Sequence, residues 1–374
     1  MIARLTRSLA WIPFALLAAP GGAQTFESSA GPVQVERVVG DLENPWAVAF
    51  LPDGRMLVTE RDGRLLLATD AGATTAIAGV PDVYARAQGG LLDVALAHDF
   101  AASGRIYLSY AKEEGRGAAT AVSAATLDAE GASLRDVEEI FVMTPATRGG
   151  RHFGSRIVVA PEGDLFVTLG DRGDPDRAQE TSSHHGTIVR LLPDGTPHPD
   201  NPFASGGGGL AEIYSWGHRN VQGAELDPSD GRLWTVEHGA RGGDEINRPD
   251  LGVNHGWPVI SYGRHYSGLS IGVGTEAPGM AQPDYYWDPS IAPSGLTRYD
   301  GALFPDWQGD VFVGALKFAL VVRLDVENGE IVGEERLFEE EFGRVRDIRT
   351  GPDGALWFLT DERDGGLYRI TPAG

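Results

Sequence analysis

The sequence predicts an all-β fold, a six-bladed β-propeller with four-stranded antiparallel blades, and three observations carry that reading. The first is a recurring motif: "LPDGRMLVTERDG" begins at Leu51, "APEGDLFVTLGDRGD" at Ala160, "DPSDGRLWTVEHG" at Asp227 and "GPDGALWFLTDERDG" at Gly351. Each is a tight turn, a short apolar strand and a loop crowded with charge. The second is spacing, since Pro52, Pro161, Pro228 and Pro352 are separated by about 60 residues or about twice that, the mark of a repeat architecture. Degenerate copies fill the two long gaps, with turns at His98 to Gly104 and at Phe304 to Gly309, which makes six units. The third is that β-type segments alternate with Gly, Asp and Pro turns, while amphipathic helical periodicity is scarce. A β-sandwich seldom has so long a period and a β-helix coil is much shorter. Radial repetition leaves only short, protected sheet edges.

Taken in chain order, "MIARLTRSLAWIPFALLAAPGGAQ" has two arginines, an apolar run and then small residues. It reads as a signal peptide over residues 1–23, followed by one propeller domain over 24–374 and implying a periplasmic or secreted protein. The apolar run is shorter than the roughly 20 residues of a membrane span, and no later segment is long enough, so no stable membrane insertion is expected. A net charge of −22 argues against nucleic acid and anionic membrane as partners. With no cysteine, stability must come from burial, with bound metal as the other source open to the chain.

Residues at one offset from the blade turn lie at one end of the channel. His152 and Arg219 each precede their turn proline by nine residues, Arg344 and Arg346 precede Pro352 by eight and six, and Gln88 precedes the turn at His98 by ten. In phase, these residues converge on one mouth. A lone histidine is usually structural or solvated. "GHRNVQG" (217–223) concentrates donors suited to an anion, "GALKFAL" (314–320) sets Lys317 in an apolar run, and "GRVRD" puts Arg344 and Arg346 on one side of a strand. The alternative is that Arg344 and Arg346 pair with the "FEEEF" carboxylates, but four cations at one mouth of an acidic protein point to a polyanionic ligand. In "VEHGARGGDEINRPDLGVNHGWP" (236–258), glycines with Asp244 and Glu245 suit calcium as well as they suit an ordinary acidic hairpin loop. His184 and His185 lack a third ligand at zinc spacing and read as a solvated loop.

In succession, "ENPWAVAFLPDGRMLVTERDGRL", "QGGLLDVAL", "RHFGSRIVVAPEGDLFVTLGDRGD", "IYSWGHRNVQG", "EHGARGGDEIN", "NHGWP", "APSG", "GALK" and "GRVRDI" resemble the soluble glucose/sorbosone dehydrogenases, propellers that use pyrroloquinoline quinone (PQQ). The likeness is greatest to the aldose sugar dehydrogenases. It implies oxidation of an aldose sugar at C1 to the lactone, with electrons passed to an external acceptor. It also implies His152 as general base, with hydride passing to the quinone, Asp171 as a carboxylate beside that base, and Gln88 near substrate and cofactor. Arg219 and Asn220 would flank the cofactor's reactive carbonyls. Lys317, Arg344 and Arg346 would clamp its three carboxylates, and Tyr266 and Ser290 would border its plane. One Ca2+ would rest on the main-chain carbonyls of Gly239 and Ala240, the latter replacing the family's proline. A second would use Glu245 and the carbonyl of His255. Two alternatives are a calcium-dependent propeller lactonase or other hydrolase, which needs no trianion clamp, and a non-catalytic propeller binding a glycan or protein, which needs neither His152 nor the cations. Few loops are long enough to roof the mouth; the longest, 262–287, is expected at its rim.

Overall fold

In the computed structural model, which describes residues 22–374, six antiparallel sheets surround a central channel. The expected signal peptide lies outside the described residues but for its last two positions. The six first strands are Pro45–Phe50, Leu91–Leu96, Ile157–Val159, Val221–Leu226, Pro293–Arg298 and Val345–Thr350, and those of neighbouring blades pack against one another around the channel. Every turn picked out from the sequence joins the first strand of a blade to its second. Because strands alternate in direction, those turns lie at one end of the channel. The loops that lead into first strands, and the turns between second and third strands, share the other end.

Second strands such as Met56–Glu60, Leu233–Glu237 and Leu356–Thr360 are buried along their whole length, which explains their continuous apolar runs. The core is divided among the interfaces between blades. Trp46, Leu57 and Leu65 of the first blade pack with Leu91 and Leu108 of the second, and Trp234 and Val236 of the fourth with Val313 and Val322 of the fifth. Ring closure is non-covalent: Val33–Leu42 pairs antiparallel with Gly365–Pro372 and supplies the outer strand of the last blade, with Gln24–Phe26 added beyond it. Among the described residues the only α-helix is Phe100–Ser103, and none is long and apolar enough to cross a membrane.

The channel is plugged by charge. Arg156 donates to Asp93 Oδ1 at 2.9 Å and to Asp347 Oδ1 at 3.0 Å, and Arg349 donates to Asp347 Oδ2 at 3.2 Å. Arg156, Asp93 and Asp347 are all but inaccessible to solvent. Burying ions is costly unless each is paired and hydrogen-bonded. Here the pairing is complete enough to seal the axis, and the Arg156 guanidinium lies 4.5 Å from the centre of the Trp46 ring.

Candidate active site

Above that plug opens a cavity of about 870 Å³, lined by Trp46, Gln88, His152, Arg219, Asn220 and, further out, Tyr266 and Ser290. Lys317, Arg344 and Arg346 line it too, as do Gly239 and Ala240. The sequence-predicted residues outside its wall are Asp171, which lies behind His152, and Glu245 and His255, which line a small neighbouring void.

His152 is held in an unusual backbone conformation, with φ of 54°. Its N–H donates to Gln88 Oε1 at 2.6 Å, and the buried Arg172 donates to the carbonyls of Arg151 and Gly149 while its guanidinium covers the Phe153 ring. Burial pushes Arg172 down to about 10, and no carboxylate pairs with it among the described residues; the loop it pins takes that place. The neighbouring Gly170 is needed for close approach, because a Cβ there would overlap the His152 carbonyl. This brings His152 Nδ1 to 2.6 Å from Asp171 Oδ1. Asp171 also accepts from the Gly173 N–H at 2.7 Å and from Trp257 Nε1 at 3.0 Å. Burial opposes its charge, but the hydrogen bond and attraction from His152, with the Gly173 N–H, hold it below the ordinary carboxylate range. Burial pulls His152 below the usual histidine range, helped by Arg219 and outweighing the Asp171 hydrogen bond. The imidazole is therefore neutral near pH 7. With Nδ1–H committed to Asp171, Nε2 is the basic nitrogen.

Seven cations line the cavity against two carboxylates, Asp288 and Asp361. Arg346 is half engaged, donating to Gln222 Oε1 at 2.9 Å and Asp361 Oδ2 at 2.7 Å, while its buried Nε has no partner. Arg344 reaches Asp361 only at 4.0 Å and donates to the Leu316 carbonyl at 3.3 Å. Neither pairs with the "FEEEF" carboxylates. Lys317 caps the turn between the second and third strands of the fifth blade, so its ammonium is exposed rather than buried in an apolar run, and no carboxylate pairs with it among the described residues. Arg219 lies over Trp257 and donates to the His238 carbonyl at 3.2 Å. Asn220 Oδ1 accepts from the Gly154 N–H at 3.1 Å, tying the arginine's loop to that of His152. Such a wall fits a ligand with several negative charges.

Residues missed in the sequence come largely from turns between second and third strands: Arg61, His238 and Asp361 all line the cavity. Their signal was present. "TERDG", "VEHG" and "LTDERDG" are the charged ends of the recurring motif, at the same end of the channel as the loops that lead into first strands. His238 Nε2 is buried without a partner, and burial, with Arg219 and Arg346 nearby, keeps the ring neutral.

Two sequence expectations need correction. Asp244 is not a free oxygen ligand: its carboxylate accepts from Gly239 N–H, Ser290 Oγ, Ile291 N–H and Ala292 N–H, at 2.7 to 3.0 Å. It fastens the Gly239 segment to the Ser290 loop. His184 and His185 are buried, not solvated; His184 Nδ1 accepts from the Thr144 N–H, and His185 bonds Ser183 and Thr147. Glu245 does stand free. Burial and the neighbouring Glu237 push its carboxyl well above the usual carboxylate range, and among the described residues the only hydrogen bond to that carboxylate is from Asn247 at 3.3 Å. Among the described residues no three His, Cys, Asp or Glu side chains converge as a metal cluster, so a cation here would need main-chain oxygens. Gly239 lines both the cavity and the void beside Glu245, and His255 lines that void with a buried, unpartnered Nε2.

The family model described as Glucose / Sorbosone dehydrogenase matches residues 42–369. The aldose sugar dehydrogenase YliI of Escherichia coli (strain K12) is 43% identical over 346 residues, covering 91% of this chain and 93% of its own. The crystal structure of the soluble aldose sugar dehydrogenase from Escherichia coli in the apo-form superposes with a TM-score of 0.89 at 42% identity, over 91% of this chain and all of that one. The PQQ-bound form of the aldose sugar dehydrogenase from Streptomyces coelicolor gives a TM-score of 0.75 at 28% identity, over 91% and 98%.

Proposed function

The chain belongs to the glucose/sorbosone dehydrogenase family, and from that premise we propose an exported, PQQ- and calcium-dependent enzyme that oxidises aldoses at C1 to the lactone and passes electrons to an external acceptor. One observation carries this reading: a neutral imidazole, oriented by a buried carboxylate, faces a cavity whose cations outnumber its carboxylates seven to two. Lys317, Arg344 and Arg346 would hold the three carboxylates of PQQ, and the unpartnered Arg346 Nε supports that fit. When bound, the cofactor supplies a quinone that accepts hydride from the sugar C1.

His152 Nε2 takes the proton of the C1 hydroxyl as the C1–H bond breaks, leaving the lactone carbonyl. Asp171 holds Nδ1–H, which sets the tautomer and stabilises the imidazolium that forms. Gln88, through the His152 backbone, and Arg172, through the loop before it, keep the ring in place. Arg219 places positive charge beside the reacting centre, in a site where a fixed charge is worth more than in water, and Asn220 secures its loop. Tyr266 and Ser290, which line the same cavity, would contact the cofactor's ring. Gly239 and Ala240 would hold Ca2+ by main-chain carbonyls, supplying a Lewis acid at the cofactor. Glu245 and the His255 carbonyl would hold a second ion, which would neutralise a buried carboxylate that otherwise has no counter-charge.

Incubating the purified protein with PQQ and Ca2+ should shift the cofactor's absorption spectrum and support dye reduction with glucose, galactose or xylose. Absence of PQQ binding would remove the proposal, and binding without sugar-dependent dye reduction would remove its catalytic half.

A further inference from the structure

Two of the seven cations are left without a task. Lys317, Arg344 and Arg346 answer the cofactor's three carboxylates, and Arg219 is spent on the His238 carbonyl and the Trp257 face. Arg61 lies 3.8 Å from Asp361 and donates to the Ala87 carbonyl. Arg241 and Arg264 remain. Both line the cavity, both are exposed at its outer wall, and neither has a carboxylate within ion-pair distance among the described residues.

Their placement is built rather than incidental. The Arg241 N–H donates to the Arg264 carbonyl at 2.9 Å and the Arg264 N–H donates back to the Arg241 carbonyl at 3.1 Å. The two residues are thus directly opposite in an antiparallel bridge, with their side chains on the same face. Glycines permit this approach, because a Cβ at Gly263 would strike the Gly242 carbonyl. Like charges directly opposite one another are unfavourable, and an anion lying between them removes that cost. The guanidinium fork matches the planar carboxylate in shape and hydrogen bonding. Tyr266 projects from the same hairpin with 76% of its surface exposed, so this wall is open to a substrate entering the mouth.

We propose that Arg241 and Arg264 form a subsite for a carboxylate carried by the sugar at the end away from C1, so that uronates are better substrates than the matching neutral aldoses. This rests on the sugar dehydrogenase reading above. D-galacturonate and D-galactose are the informative pair, since they differ only in having a carboxylate or a hydroxymethyl group at C6.

Both sugars should be titrated calorimetrically into the protein loaded with reduced PQQ, which cannot take hydride from them, with kcat and KM measured in parallel on the oxidised form with a dye as acceptor. Galacturonate should bind about tenfold more tightly, with the difference in KM rather than kcat, as expected for a charge-assisted contact made equally in ground and transition states. Arg241→Gln with Arg264→Gln should erase the preference and leave galactose kinetics and PQQ stoichiometry unchanged. Arg264→Gln alone, remote in sequence from the calcium-binding carbonyls, should remove most of it. Equal affinity of the wild type for the two sugars overturns the subsite while leaving galactose oxidation, and hence the dehydrogenase reading, intact. Loss of PQQ binding in the Arg264 variant overturns it too, by reassigning the pair to the cofactor. Failure of the wild type to oxidise either sugar removes the dehydrogenase reading and the subsite together.

Discussion

Two sets of charges occupy the same channel and are built in opposite ways. In the axial plug, Arg156 and Arg349 meet Asp93 and Asp347 with no water-accessible surface on the carboxylates. In the mouth above, Lys317, Arg241 and Arg264 pair with no carboxylate among the described residues, and Arg346 keeps an unpartnered Nε. The residue types are the same and the duties differ. A charge satisfied within the fold holds the fold together, and a charge left unsatisfied beside a cavity is available to a ligand. The contrast predicts that substitutions in the two regions will separate stability from function.

The largest expected effect is on turnover. His152→Ala should lower kcat by about 10²–10⁴, the usual contribution of general-base assistance, with PQQ affinity and unfolding midpoint nearly unchanged; wild-type turnover would refute the assignment. Its pH profile sharpens the point. The base must be neutral, and its pKa lies below the usual histidine range, so activity should persist as pH falls through 6.5 and be lost only below that. Asp171→Asn removes a bond that favours the charged ring, so the acidic limb should move lower still while kcat falls.

Next in size is the plug. Arg156→Met leaves Asp93 and Asp347 in the interior with Arg349 as their one remaining cation, and breaking a buried pair in this way costs about 3–5 kcal/mol. Denaturant unfolding of the cofactor-free protein measures it; a change below about 1 kcal/mol, typical of surface substitutions, would erase the contrast between the regions. Lys317→Ala should do the reverse, leaving stability within about 0.5 kcal/mol and weakening PQQ binding roughly five- to tenfold at low salt and by less at high salt, where the attraction of the exposed ammonium is already screened. Fluorescence titration at two ionic strengths decides between those outcomes.

The smallest effect tests the void beside Glu245. Adding Ca2+ should raise the melting temperature of the wild type by a few degrees, since a ligand that binds only the folded state stabilises it by mass action. Chelation should reverse the gain. Glu245→Gln should be stable without calcium and gain less from adding it; an undiminished calcium response would move the second ion elsewhere.

The repeat in the chain is enough to set the number of blades, the direction of their strands and the end of the channel at which His152, Arg219, Gln88, Arg344 and Arg346 meet. These follow from period and phase, which are local properties of the chain. The family resemblance added Asp171, Tyr266, Ser290, Gly239, Ala240 and His255, and the structure gathers them around one cavity and the void beside it. Which charges are paired was not legible. Arg156 and Asp347 are 191 residues apart and Arg346 and Gln222 are 124 apart, so only closure of the ring brings them together. The same holds for the strand Val33–Leu42, whose partner is the far end of the chain. Asp244 illustrates the limit most plainly. In the sequence it is a carboxylate among glycines, equally fit to bind a cation or to hold a turn. It holds the turn, because the fold brings four donors to it. Glu245, one residue along, points to the other side of the strand, where the fold brings it a second carboxylate and little else.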